Sequence, residues 1–129
     1  MKTIVSAVLI SILMIVAAPA YSGGVATQFF KCEMDEDATE KDVVAYASKW
    51  LKSAKTMKGG KNLEAHIFFP VAVTNMGETD LIFAISAPTF AEWGTFWDSY
   101  DGSPAAAADK ENEMVDCPDS ALWETIKVN

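Results

Sequence analysis

One histidine beside a carboxylate is the first place in this chain to look for acid–base chemistry. His66 is the only histidine among 129 residues, and in an extended segment it shares a face with Glu64 and Phe68. An imidazole next to a carboxylate can act as a general base or bind a metal ion. A metal site needs several converging ligands, and the chain has no second histidine. We therefore predict no metal site, and we favour an edge-strand surface histidine over a catalytic one.

The second group with chemical potential is a pair of cysteines. Cys32 and Cys117 are the only two in the chain, and neither stands in the CxxC spacing of a redox motif. Two isolated thiols also make a poor metal site. An even number of cysteines in an exported chain is typical of a disulfide, so we predict one Cys32–Cys117 bridge.

The third group is aromatic and falls within eleven residues at helical spacing: Phe90, Trp93, Phe96, Trp97 and Tyr100. Such a stripe most often packs on a sheet, and the wall of a ligand pocket is the alternative. The chain has no nucleophile elbow, P-loop, dinucleotide fingerprint or HExxH motif. The sequence therefore predicts no cofactor, and it favours a non-catalytic protein without deciding the question.

The N-terminus and the charge set the compartment and exclude some partners. Lys2 precedes an apolar and small-residue run over residues 4–18, with small residues at cleavage spacing up to Ser22. We predict a signal peptide over residues 1–22, one domain over residues 23–129, cleavage between Ala20 and Ser22, and a secreted or periplasmic protein with no membrane segment after cleavage. The formal net charge is −8 without any arginine. Such an acidic chain repels phosphate backbones, so we expect no nucleic-acid partner.

Six elements must position these groups. Val25–Met34 has the β-branched and aromatic content of a strand, and Thr39 begins an amphipathic helix that ends near Gly59-Gly60. Residues 62–74 and 79–86 read as a hairpin, and residues 121–128 alternate as a closing strand. Between them lies the aromatic helix, interrupted at residues 101–104 by Asp-Gly-Ser-Pro.

The order predicts an α+β, ferredoxin-like βαββαβ domain, an antiparallel sheet with two helices on one face. In its sheet order, 4-1-3-2, the second strand is an edge strand, where Pro70 is tolerated. The first and last strands are neighbours in that order. Cys32 and Cys117 are thereby brought close enough for the predicted bridge.

The chain resembles the dimeric α/β-barrel superfamily, which contains antibiotic-biosynthesis-monooxygenase-like and stress-responsive barrel domains. The resemblance covers Val25 to Asn129 and rests on the Thr-capped first helix with Lys49-Trp50-Leu51, the hairpin, and the interrupted helix that begins Pro88-Thr89-Phe90. It implies a homodimer in which two sheets form a barrel with the helices outside. It also implies a small apolar pocket, for which we expect four lining residues: Phe90, Trp93, Trp97 and Phe68.

Three functions follow as hypotheses. The first is a non-catalytic exported homodimer that binds a small hydrophobic or aromatic ligand. The second is a cofactor-independent monooxygenase, implied by the resemblance, in which His66 deprotonates an aromatic substrate packed against Trp93 or Trp97. The third is a structural envelope protein whose aromatic residues only fill its core.

Overall fold

A computed structural model describes residues 24–129, so the predicted signal peptide lies outside the described residues. Its elements in chain order are β1 (Val25–Met34), α1 (Glu40–Ala54), β2 (Glu64–Phe68), β3 (Leu81–Ala87), α2 (Phe90–Asp98), α3 (Pro104–Lys110) and β4 (Val115–Thr125). The four strands form one sheet in the order β2-β3-β1-β4, and every neighbouring pair is antiparallel. The predicted α+β, ferredoxin-like fold is confirmed.

Local capping explains where the three helices begin. The Thr39 side chain accepts a hydrogen bond from the Asp42 amide at 3.3 Å, and the Asp42 carboxylate accepts one from the Thr39 amide at 3.2 Å. The Thr89 side chain caps α2 by accepting a hydrogen bond from the Glu92 amide, and Ser103 caps α3 with Pro104 in the first turn. The predicted interruption of the aromatic helix is therefore real, because a new cap restarts the chain as α3.

Helix α1 ends earlier than predicted, at Ala54, and a series of turns leads from it to Gly60. Gly59 has a positive φ of 78°, which favours glycine. A side chain at Gly60 would overlap the carbonyl oxygen of Ala54. The glycine pair thus marks the tight turn after the helix, and it does not mark the end of the helix itself.

The two edge strands also differ from their predicted bounds. β2 ends at Phe68, before Pro70, and it lies at the edge of the sheet as predicted. β4 begins at Val115, earlier than expected, because its pairing with β1 continues through a bulge. At that bulge Cys117 and Pro118 together face Cys32. Since proline cannot donate a ladder hydrogen bond, a bulge on an edge strand is where Pro118 is tolerated.

A disulfide joins Cys32 to Cys117 across β1 and β4, with Cα atoms 4.0 Å apart and a sequence separation of 85 positions. The predicted bridge is confirmed. It closes one end of the layer between the sheet and the helices, because both cysteines face that layer. A central strand and an edge strand are therefore joined covalently.

The helices cover one face of the sheet only, and the core lies beneath them. Its largest fully buried side chain is Phe96 of α2, which packs in one cluster with Trp50 of α1, Leu63, and Ile85 of β3. Among residues 24–129, no helix has the length and apolar character needed to cross a bilayer.

Candidate functional site

A cavity of about 340 Å³ lies between the helices and the inner face of the sheet. Its apolar walls come from α1, α2 and the three strands β1, β2 and β3, and its polar end comes from the end of α3, the start of β4 and the segment between them. Six aromatic side chains line the walls: Phe30, Tyr46, Trp50, Phe83, Trp97 and Tyr100.

Helical spacing explains how the aromatic walls meet. Tyr46 and Trp50 are separated by one turn of α1, so both side chains lie over the sheet. The ring of Trp50 packs edge-on against Phe83 of β3, with centroids 5.7 Å apart. From α2, Trp97 packs on Phe30 of β1 at 6.4 Å. The walls are therefore a connected set of rings held by helices on one side and strands on the other.

One end of the cavity is polar and hydrogen-bonded. The Tyr46 hydroxyl donates to Asp109 Oδ1 at 2.8 Å, and the Trp50 indole N–H donates to the Tyr100 hydroxyl at 3.2 Å. Asp109, Asn112 and Asp116 line this end. Asp109 and Asp116 are solvent-exposed, so this is where the cavity meets water.

Both tyrosines hold their protons at neutral pH. Burial raises the pKa of Tyr46, and the hydrogen bond to Asp109 and the negative charge of Asp109 raise this pKa further. Burial also raises the pKa of Tyr100. The hydrogen bond from Trp50 lowers this pKa, whereas the negative charge of Asp109 raises it. The polar end thus presents neutral hydroxyls beside carboxylates.

Trp97 lines the cavity, but its indole N–H does not reach the open space. The Nε1 atom is inaccessible to solvent and donates to no partner among the described residues. An unpaired buried N–H loses its hydration without compensation. Because a water-sized molecule does not touch this atom, it is not a contact point for a ligand in the cavity.

The structure brings only one of the four predicted pocket residues to the cavity, namely Trp97. Trp93 packs against the core beside it, and Phe90, at the first turn of α2, is 42% exposed. Phe68 lies on the opposite face of the sheet, because its neighbour Ile67 is the β2 residue that faces the cavity. Strand alternation thus separates Phe68 from the aromatic helix.

His66 lies on the same outer face as Phe68, with ring centroids 6.5 Å apart, and it is exposed. The sheet therefore stands between His66 and Trp97, so the two side chains do not face one substrate within a protomer. No histidine or lysine lines the cavity within the described part of the chain. In residues 24–129 no group of three or more His, Cys, Asp or Glu side chains is placed to hold a metal ion.

The outer face of the sheet carries exposed apolar side chains beside polar ones. Phe68 and Trp123 are 52% and 59% exposed, respectively. Phe29 of β1 packs on Phe68 at 6.5 Å. A shallow depression beside it is lined by Ile82, Ala121 and Trp123 together with the polar Lys31, Asp119 and Ser120. We call Phe29, Phe68, Ile82 and Trp123 the outer patch.

Sequence reasoning missed most of the cavity. Tyr46 and Trp50 carried a signal, since they recur at helical spacing on the apolar side of α1, but that spacing equally predicts a core. Asp109 carried no such signal in the sequence, because its contact with Tyr46 joins residues 63 positions apart. Only the packing of α3 against α1 brings them together.

Comparison with known proteins adds little to this description. No family model and no curated protein matches the chain. Among solved structures, a mutant chlorite dismutase from Candidatus Nitrospira defluvii is 14% identical with a TM-score of 0.43, and the match covers 83% of this chain and 42% of that one. The chain thus spans less than half the length of the dismutase.

A dimeric protein of unknown function and ferredoxin-like fold from Bacteroides fragilis is 13% identical with a TM-score of 0.43, and the match covers 81% of this chain and all of that one (100%). Likeness at this level decides nothing about activity. The ferredoxin-like fold of this chain is established by its own strand order and register.

Proposed function

We propose that this chain is an exported, non-catalytic homodimer that binds a small hydrophobic or aromatic molecule between its helices and its sheet. The observation that carries the proposal is the cavity of about 340 Å³ with aromatic walls. Small-molecule sites span roughly 300–1,000 Å³ and combine apolar walls with a few polar groups. The cavity has both features, at the small end of this range.

One further observation supports a ligand in this cavity. The hydroxyls of Tyr46 and Tyr100 remain protonated and stand at the polar end, where they can orient a bound molecule.

Filling the cavity tests the proposal. Ala47 lies on α1, is 7% exposed and lines the cavity, so Ala47→Phe would place a ring inside it. The matched control is Ala45→Phe, which adds the same ring to the exposed side of the same helix. Because Trp50 and Trp97 line the cavity, tryptophan fluorescence reports on binding of 2-phenylethanol, a small neutral aromatic probe.

We expect saturable quenching by the probe in the parent protein and in Ala45→Phe, and none in Ala47→Phe. Mass spectrometry of molecules extracted from protein purified from its native compartment identifies the natural ligand. A protein that is empty on purification, and that binds neither the probe nor a broad panel of small molecules, would refute the proposal. That result would favour the structural envelope protein.

The homodimer part of the proposal rests on the outer patch. Antiparallel sheets that face water usually carry polar side chains on that face, whereas here Phe68 and Trp123 are 52% and 59% exposed. Exposed aromatic side chains grouped on one face often mark a protein–protein contact, and the polar Lys31 and Asp119 beside them suit the rim of such a contact. A second copy presents the same patch, and an isologous contact between two copies would bury both at once.

A charge in the outer patch tests the dimer. We expect the parent protein to sediment as a dimer and Phe68→Glu to sediment as a monomer at the same concentration. Ser48→Glu, which adds the same charge on the exposed surface of α1, should remain dimeric. A monomeric parent protein, or a dimeric Phe68→Glu variant, would contradict this arrangement.

A further inference from the structure

We infer that the ligand is a small organic cation, an aromatic or alkyl amine whose ammonium group lies against Asp109 and Asp116 while its apolar body lies between the rings. The inference rests on the proposed function, because it concerns the occupant of the same cavity. It names the charge of that occupant, which the cavity's size and apolar walls leave open.

The polar end of the cavity carries negative charge without a basic partner on its lining. Asp109 and Asp116 are its only ionised lining groups among residues 24–129, and no lysine or histidine lines it. The hydrogen bond that Asp109 Oδ1 accepts comes from the neutral hydroxyl of Tyr46, so the charge of the carboxylate is not cancelled. An anionic ligand would be repelled here, whereas an ammonium group would gain a charge-assisted hydrogen bond.

The position of Asp109 is not explained by helix stability. It lies in the last turn of α3, where the helix dipole favours a cation and disfavours a carboxylate. The segment that follows adds Glu111 and Glu113 and contains only one base, Lys110, so its charge is also negative. Glu111 and Glu113 do not line the cavity, but they add negative charge near its polar end.

The walls of the cavity suit a cation as well. The cavity is lined by four tyrosine or tryptophan rings, those of Tyr46, Trp50, Trp97 and Tyr100. The faces of such rings attract ammonium groups, and the attraction is stronger when the cation is partly removed from water. Trp97 and Tyr100 lie side by side, with centroids 4.7 Å apart. A cation that enters at the polar end thus meets carboxylates at the mouth and ring faces inside.

Three probes of similar size and different charge test the inference: the 2-phenylethylammonium ion, neutral 2-phenylethanol and the 3-phenylpropionate anion. Titrated into the mature protein by tryptophan fluorescence and calorimetry, they should bind in that order of affinity. A single charge-assisted hydrogen bond corresponds to about tenfold or more in Kd, so we expect at least that separation between cation and alcohol. Among the three probes, added salt should weaken the binding of the cation only.

Removing the charge of Asp109 tests whether this carboxylate causes the preference for a cation. Asp109→Asn keeps an oxygen that can accept the Tyr46 hydrogen bond, so the cavity wall is preserved. We expect this variant to bind the cation about tenfold more weakly and the alcohol with its affinity within about twofold of the parent. The matched control, Asp101→Asn, removes an exposed charge between α2 and α3 that does not line the cavity. It should leave the affinities for the cation and for the alcohol unchanged.

The outcomes separate this inference from the proposed function. If the alcohol binds and Ala47→Phe excludes it, but the cation binds no better, the cavity is a ligand site and only the inference fails. If Asp109→Asn lost affinity for the cation and for the alcohol equally, the inference would also be overturned, because this result would indicate a structural role for Asp109. If none of the three probes binds, the inference fails; the proposed function fails with it when the protein is also empty on purification and binds nothing in the broad panel.

Discussion

The Cys32–Cys117 bridge should supply a large part of the stability of this chain. The bridge joins positions 85 residues apart, so it restricts most of the described chain in the unfolded state. In the chain-entropy model, closing a loop of this length stabilises the folded state by about 4.6 kcal/mol. For a domain of this size that corresponds to a fall in Tm of roughly 20 °C on removal of the bridge.

The measurement is urea unfolding of the parent protein with and without a phosphine reductant, beside a Cys32→Ala, Cys117→Ala double variant. Alanine is chosen because Cys32 is fully buried and a serine would add an unpaired hydroxyl. We expect the reduced parent and the variant to lose similar free energy, and both to show a larger m value because their unfolded chains expose more surface. The variant should not respond to reductant. A loss below about 1 kcal/mol would refute the loop-entropy reasoning.

Two further predictions concern the core and the tyrosines. Phe96 is fully buried and packs against Trp50, Trp97 and Tyr100, so Phe96→Ala should reduce the free energy of unfolding by about 3–5 kcal/mol in urea titration. Phe90→Ala, at a site 42% exposed, should cost far less, and equal losses would contradict the packing. Because burial raises the pKa of Tyr46 and Tyr100 above the ordinary value of 10.0, the unfolded chain releases these protons first, and stability should fall as pH rises above that value. Phenolate absorbance should show both residues protonated until the protein unfolds, and a Tyr46→Phe, Tyr100→Phe double variant should lose less stability in alkali.

The fold was predictable because local signals agreed with one topology. Thr39 and Ser103 mark helix starts by hydrogen bonds within three residues, which can be read directly from the chain. Pro70 indicated an edge strand, and β2 is one. The start of β4 was not predictable, because a bulge opposite Cys32 carries the pairing past Pro118, and a bulge leaves no periodic signal.

The cavity was less predictable than the fold. The aromatic stripe of α2 has a helical period, but that period does not say which ring borders empty space and which fills the core. Trp97 lines the cavity, while Trp93, one turn earlier on the same helix, packs against the core. The acidic end of the cavity depends on the contact between α1 and α3, which joins distant parts of the chain. Such contacts follow from tertiary packing, and spacing along the sequence does not reveal them.

The sheet order has a consequence for the order of folding. β1 is the first strand of the domain to be synthesised, yet its partners are β3 and β4, which begin at Leu81 and Val115. The β2–β3 hairpin needs only a short loop to close, whereas β1 must wait for almost the whole chain before its second edge is paired. Non-local pairing of this kind slows folding, so Phe29 and Phe30 stay unprotected in the nascent chain longer than any other aromatic residues of the sheet. A chaperone that shields the N-terminal strand would therefore have the longest interval in which to act.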